Sequence, residues 1–302
     1  MSARRVLALF GHAGLGGFNE AAVEGARRAE RAGQPLRIEW IADTDPQARA
    51  ARIAALCAPG LDLLIAHGGQ GDAPVAEVAP RFPRTQFAVT QGSLTAPNVA
   101  SYEILQEHSA FLAGVLAGLR AADGRAAHLS GERVRPGLKG RAAYADGVRR
   151  ATGRDPLTGF CGNQHDPELA HEWTRALAAR DARVVFAMMD GGRDGVSRAC
   201  RETGIWQIGN VVDWVARDPQ VYLASALADS GLCVERAAAD HAAGRLAVGA
   251  VTRYGLEQAA SLRLALGAGV TAEERRALDD WSGRLAGGLE IEGGYTGAEF
   301  TP

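Results

Sequence analysis

Short apolar runs alternate along the chain with longer segments whose apolar residues recur every three or four positions. RVLALF (5–10), LRIEWI (36–41), DLLIA (62–66) and TQFAVT (85–90) have the length and composition of strands. The segments 19–32, 46–58 and 73–81 between them carry the helical period. A fifth run, NVASYEI (98–104), leads into an apolar helix, SAFLAGVLAGLRAA (109–122). The alternation then restarts, with strands at 126–130, 157–161, 183–188 and 205–209 and helices around 140–151, 168–179 and 194–203. VYLASAL (221–227), a helix near 230–244, GAVTRYGL (249–256) and a polar helix near 271–285 complete the pattern.

Strands alternating with helices of this length imply βαβ units and parallel sheets. Two such halves predict an α/β fold of two Rossmann-like lobes, with a ligand cleft between the carboxyl ends of their strands. The expected lobes are 1–105 plus 226–250 and 106–225 plus 251–302, joined by crossings near 103–106, 224–228 and 249–253.

Composition narrows the function classes. With 47% hydrophobic residues, 23% charged residues and a net charge of −2, the chain carries no electrostatic footprint for nucleic acid or an anionic membrane. Lys139 is the single lysine, so the basic side is arginine. No run approaches the roughly 18 apolar residues of a membrane span. Cys57, Cys161, Cys200 and Cys233 form no CxxC pair and read as buried free thiols, without a metal site.

The first strand runs into GHAGLGGFNE, a glycine-rich turn before a helix. Glycines at 11, 14, 16 and 17 match no register of G-x-G-x-x-G, and no G-K-[ST] follows, so neither a dinucleotide nor a Walker-type phosphate site is expected. Phe18 and Asn19 stand at the helix start, where they read either as a ligand-facing ring and amide or as a hydrophobic staple and an N-cap.

Six segments in order carry a resemblance. GGFNEAAVEGARRAE, APGLDLLIAHGGQGDAPVAEVAPRFPRTQFAV, PNVASYEILQEHSAFLAGVLAGL, KGRAAYADGVRRATG, HDPELAHEWTRAL and DARVVFAMMDGGRDGVSRACRETGIWQIG resemble the basic membrane protein family of solute-binding proteins over about residues 5–255. That family includes purine-nucleoside-binding lipoproteins. The resemblance implies a type I periplasmic-binding fold that captures a small molecule and delivers it to an ABC importer, with no cofactor and no catalytic role.

It also implies site residues. Phe18 matches the family's base-stacking phenylalanine and Asn19 its rim-contacting asparagine. The loop HGGQGDA offers His67, Gln70 and Asp72, although His67 with Asp72 also reads as an acid–base pair and Asp72 alone as a helix cap. MMDGG places Asp190 where the adenine-binding branch has an aspartate; a solvated turn is the alternative. Met189, Trp206 and Trp214 read as an opposing face or as core. Where the nucleoside-binding branch has a sugar-binding acid and lysine, this chain has Val211 and Ala228, with Asp213 two residues on from the acid's place.

The expected ligand is therefore a purine base or related heterocycle rather than a nucleoside. Two alternatives stand: a cytoplasmic ligand sensor on the same fold, and a nucleoside- or nicotinamide-dependent enzyme. Neither a secretory signal nor the family's lipid-attachment cysteine precedes the first strand. A cell-envelope location is expected if a signal has been removed, and a cytoplasmic one if Met1 is the native start.

Overall fold

The computed structural model describes residues 5–13 and 16–302; Gly14 and Leu15 of the glycine-rich turn lie outside the described residues. In chain order the elements are β1 (Val6–Phe10), α1 (Phe18–Arg31), β2 (Arg37–Trp40), α2 (Pro46–Cys57), β3 (Leu63–His67), α3 (Asp72–Val78), β4 (Gln86–Thr90) and β5 (Val99–Ile104). Next come α4 (Gln106–Arg120), β6 (Arg125–Ser130), α5 (Arg135–Thr152), β7 (Leu157–Phe160), α6 (Pro167–Ala178), β8 (Ala182–Met188), α7 (Arg193–Thr203) and β9 (Trp206–Val211). The chain continues through β10 (Tyr222–Ala228), α8 (Gly231–Ala242), β11 (Val251–Tyr254), β12 (Leu262–Leu266) and α9 (Ala272–Ala286).

These elements form two units. The first holds the chain up to Ile104 and Asp229–Tyr254; the second holds Leu105–Ala228 and Gly255–Pro302. The first contains one six-stranded sheet in the order β11-β5-β4-β3-β1-β2, parallel throughout. Its inner strands are apolar on both faces because helices cover both; Leu63, Leu64, Ile65, Phe87, Ala88 and Val89 are all fully buried.

The second sheet runs β12-β10-β9-β8-β6-β7. All its pairs are parallel except β12, which joins β10 antiparallel. Under it lies α4, buried from Ser109 through Gly118, against α5. The two helices touch backbone to backbone: a Cβ on Gly114 would fall 2.0 Å from the Tyr144 carbonyl oxygen, and one on Gly147 2.1 Å from that of Phe111.

Local sequence sets the helix ends. Asp45 caps α2 through Ala48 N–H, Asp166 caps α6 through Glu168 and Leu169 N–H, and Thr271 with Glu274 forms a capping box on α9. After α9 the chain lies along the outer strand β7. Phe300 N–H donates to the Thr158 carbonyl at 2.6 Å, and its ring meets Trp173 edge-on at 6.0 Å. Glu299 pairs there with Arg133 and Arg141. Three of the four free cysteines are buried; Cys161 is only half-buried, because it follows β7 at the sheet's margin.

Candidate functional site

The carboxyl ends of the strands in each sheet gather the polar and aromatic side chains that the packed layers exclude. In the first unit the chain leaves β1 at Phe10 and re-enters regular structure at Phe18, through Gly16 (φ 74) and Gly17 (φ 73), backbone angles that suit glycine. This turn delivers the Phe18 ring onto the His67 imidazole at the end of β3, with centroids 4.3 Å apart and planes tilted by 33°. Phe10 lies 5.6 Å from His67 on another side, and Trp40 lies 5.6 Å from Phe10. Phe18 therefore packs on a histidine and is not a staple.

His67 is 2% exposed and shares a 2.7 Å hydrogen bond between Nδ1 and Thr90 Oγ1. Burial pushes its pKa down to about 3, against a smaller opposing pull from the Phe18 backbone, so the ring is neutral at physiological pH. Its Nε2 is buried with no hydrogen bond of normal geometry among the described residues.

The other candidates of this unit are engaged within the fold. Asn19 is the second residue of α1, whose N-cap is Gly17, so the capping reading does not hold. Its Oδ1 accepts from Gly11 N–H at 3.2 Å and its Nδ2 donates to the His12 carbonyl at 3.3 Å, bracing the turn from inside. Gln70 Nε2 donates to the His67 carbonyl at 3.3 Å.

Asp72 opens α3 but does not cap it; Gly71 is the N-cap and no side chain bonds there. The Asp72 carboxylate instead accepts from the backbone N–H groups of Ser93 (3.0 Å) and Leu94 (3.2 Å), tying down the loop after β4. His67 and Asp72 thus have separate partners and form no acid–base pair.

In the second unit Asp190 follows β8 at a half-buried turn, where its N–H donates to the Gln164 carbonyl at 3.2 Å and its own carbonyl accepts from Arg193 N–H at 3.1 Å. Met189, expected to face a ligand or the core, is fully buried in the apolar layer with Leu129, Ala187 and Val196. Trp206 packs partly buried against the layer around α4.

The Arg193 guanidinium lies 4.0 Å and the Arg217 guanidinium 4.5 Å from the Trp214 ring centroid, and the Tyr222 ring stacks against the indole at 5.9 Å. Asp213 Oδ1 accepts from Ala216 N–H at 3.2 Å and Oδ2 lies 3.9 Å from Arg263. Val211 and Ala228 are buried apolar ends of β9 and β10.

Thr90, Arg193 and Asn210 also stand at these strand ends and escape a reading by motif. Arg193 carried a signal, because a cation at the first residue of a helix opposes the positive end of the dipole. Val211 closes β9 with φ 71, and Val212 N–H donates to the Asn210 carbonyl at 2.9 Å. That is a γ-turn of the strained kind on a β-branched residue. Gln91, just after β4, is likewise non-glycine with φ 59.

The model of ABC transporter substrate-binding proteins of the PnrA-like (Bmp) family matches residues 8–262. The chain belongs to this family. Its PnrA-like membership agrees with the observed type I periplasmic-binding-protein fold. A solute-binding protein of an ABC transporter system from Aeropyrum pernix K1 is 22% identical with TM-score 0.82, the match covering 94% of this chain and 92% of that one. One from Conexibacter woesei is 22% identical with TM-score 0.74, covering 97% and 99%. A transcriptional activator of the comK gene from Bacillus halodurans is 18% identical with TM-score 0.80, covering 95% and 99%. At these identities the likeness is one of fold. No curated protein matches the chain. Among the described residues of this PnrA-like protein, no helix is long and apolar enough to cross a membrane.

Proposed function

We propose that this PnrA-like chain captures a free purine base or a related flat heterocycle and hands it to an ABC permease, without turning it over. The observation that carries the reading is the Phe18 ring, set at the carboxyl end of the first sheet and backed by His67 at 4.3 Å. A ring held from behind offers its outer face as a stacking platform for a planar π-system. Asp190, at the end of β8, is the proposed polar anchor of the second unit and accepts from a ring N–H or exocyclic amine.

The base rather than the nucleoside is favoured because Val211 and Ala228 occupy the positions that the resemblance assigns to sugar-binding groups. A buried ribose would leave hydroxyls unpaired at about 1–3 kcal/mol each. Calorimetry with adenine, hypoxanthine, guanine and their nucleosides tests the reading. Asp190→Ala should weaken the best base about tenfold to a hundredfold. A nucleoside that binds more tightly than its own base, or an Asp190→Ala protein with every affinity intact, overturns it.

A ligand-responsive regulator is the second reading, since the B. halodurans neighbour is described as a transcriptional activator on this fold. Uptake of labelled base by a strain lacking this gene separates the two: loss of uptake supports the import role.

A further inference from the structure

Where the tail after α9 lies along β7, the second unit holds a cavity whose lining includes none of the candidate residues above. It measures about 430 Å³, and small-molecule sites run from about 300 to 1,000 Å³. It opens where β6 and β7 begin, at Arg125 and Leu157, and where the chain passes from α6 towards β8, at Arg180. Asp190 follows the opposite, carboxyl end of this sheet, and the seven residues of β8 span about 20 Å between the two ends.

The wall and the rim of this cavity differ in chemistry. Pro156 and Phe300 are buried and Leu157 and Tyr295 half-buried, which makes the wall apolar. Arg125 and Arg180 are exposed on the rim, and neither forms an ion pair among the described residues. The Arg125 side chain donates to the Asp155 carbonyl at 3.4 Å. Both carboxylates of the lining are engaged elsewhere: Asp155 Oδ1 accepts from Arg149 Nε at 2.6 Å, and Glu299 accepts from Arg133 and Arg141. Asp181, beside Arg180 in sequence, pairs with Arg183 at 2.8 Å. The rim therefore presents two guanidinium groups over an apolar wall, and the acids around them are already paired with other arginines.

We propose that this cavity is a second ligand site, for a small organic anion: a phosphate monoester or carboxylate headgroup on a compact apolar body. A guanidinium meets such a headgroup through its planar fork of donors. The body replaces water along Leu157, Tyr295 and Phe300. An inorganic anion uses only the rim and a neutral apolar molecule only the wall, so neither matches the cavity as a whole. Because the tail supplies part of the wall, an occupant also fastens the tail to the margin of the sheet. The proposal is independent of base capture at the carboxyl ends of the strands.

The test is calorimetry on the full chain with phenyl phosphate as the probe, alone and with excess hypoxanthine. Phenyl phosphate should bind about tenfold or more tightly than inorganic phosphate or phenol, and hypoxanthine should leave that affinity unchanged. The double variant Arg125→Ala, Arg180→Ala removes two exposed side chains and should keep the parent's circular dichroism while binding the probe about tenfold or more weakly. Rising salt should weaken the parent's binding as well. In the bound protein the Phe300 amide should exchange its hydrogen more slowly, since the occupant holds the tail. Phenyl phosphate that binds no more tightly than inorganic phosphate, a double variant with its affinity intact, or displacement by hypoxanthine overturns the proposal. If the parent instead pellets with phosphatidylglycerol vesicles, the double variant does not, and phenyl phosphate fails to bind, the rim is a membrane contact and the proposal is wrong.

Discussion

The contact between Phe18 and His67 makes a prediction that separates a supporting role for the histidine from direct ligand contact. With centroids 4.3 Å apart and Nδ1 held by Thr90 at 2.7 Å, His67 fixes the Phe18 ring before any ligand arrives. An aromatic pair is worth about 0.5–1.5 kcal/mol beyond its buried area, and ordering a freed ring on binding costs about 0.5–1.5 kcal/mol. His67→Ala should therefore weaken hypoxanthine binding by about 1–3 kcal/mol, or roughly fivefold to 150-fold. His67→Phe keeps a flat partner and should stay within about threefold of the parent, because the support needs a ring and no nitrogen. Thr90→Val should lie between, since it frees the imidazole to rotate. Titration calorimetry reads all three, with thermal melts to show that each folds. If His67→Phe binds as weakly as His67→Ala, the imidazole is a ligand contact and the support argument is wrong. If His67→Ala changes nothing, Phe18 needs no backing at all.

Further outcomes follow from other contacts. His67 and His128 are buried with folded-state values near 3, below the unfolded value of about 6.5, so the unfolded chain takes up their protons first. Their contribution is complete above about pH 6.5 and lost as pH falls toward 3, at about 1.4 kcal/mol per pH unit for each once the unfolded ring is protonated; His67→Phe should flatten the slope in denaturant titrations at pH 4–6. Asp72→Asn loses charge-assisted bonds to the amides of Ser93 and Leu94 and should cost about 1–2 kcal/mol, with faster hydrogen exchange at those two amides. Gly147→Ala pushes a methyl to within 2.1 Å of the Phe111 carbonyl oxygen and should destabilise the second unit by about 2 kcal/mol or more in chemical denaturation, while Gly283→Ala, with open space around it, should not.

The architecture was legible because most strands are buried on both faces and appear as unbroken apolar runs between helical periods. β12 was not, for the converse reason: its residues after Leu262 are half-buried and Arg263 interrupts the run, so SLRLALG shows neither a clean alternation nor a continuous apolar stretch. The site was legible only in part. Phe18 is visible as a ring at a helix start, yet the duties of Asn19 and Asp72 depend on partners supplied by folding. Asp72 bonds across 21 and 22 residues, and no local pattern announces that. Met189 and Asp190 are neighbours, but only the structure shows that one faces the apolar layer and the other the turn.

The strap formed by Glu299 and Phe300 has a consequence for how this protein stays dispersed. An outermost strand exposes a row of unpaired donors and acceptors, which another chain can copy by adding a strand of its own. β7 is such a strand, and the Phe300 amide already occupies the Thr158 carbonyl while its ring fills the ground beside Trp173. Arg133 and Arg141, both 4.9 Å from the Phe160 ring, hold the Glu299 carboxylate and keep the strap seated. A chain cut before Glu299 would keep its two sheets and yet acquire a sticky edge, so its first symptom should be self-association in the ultracentrifuge rather than loss of fold.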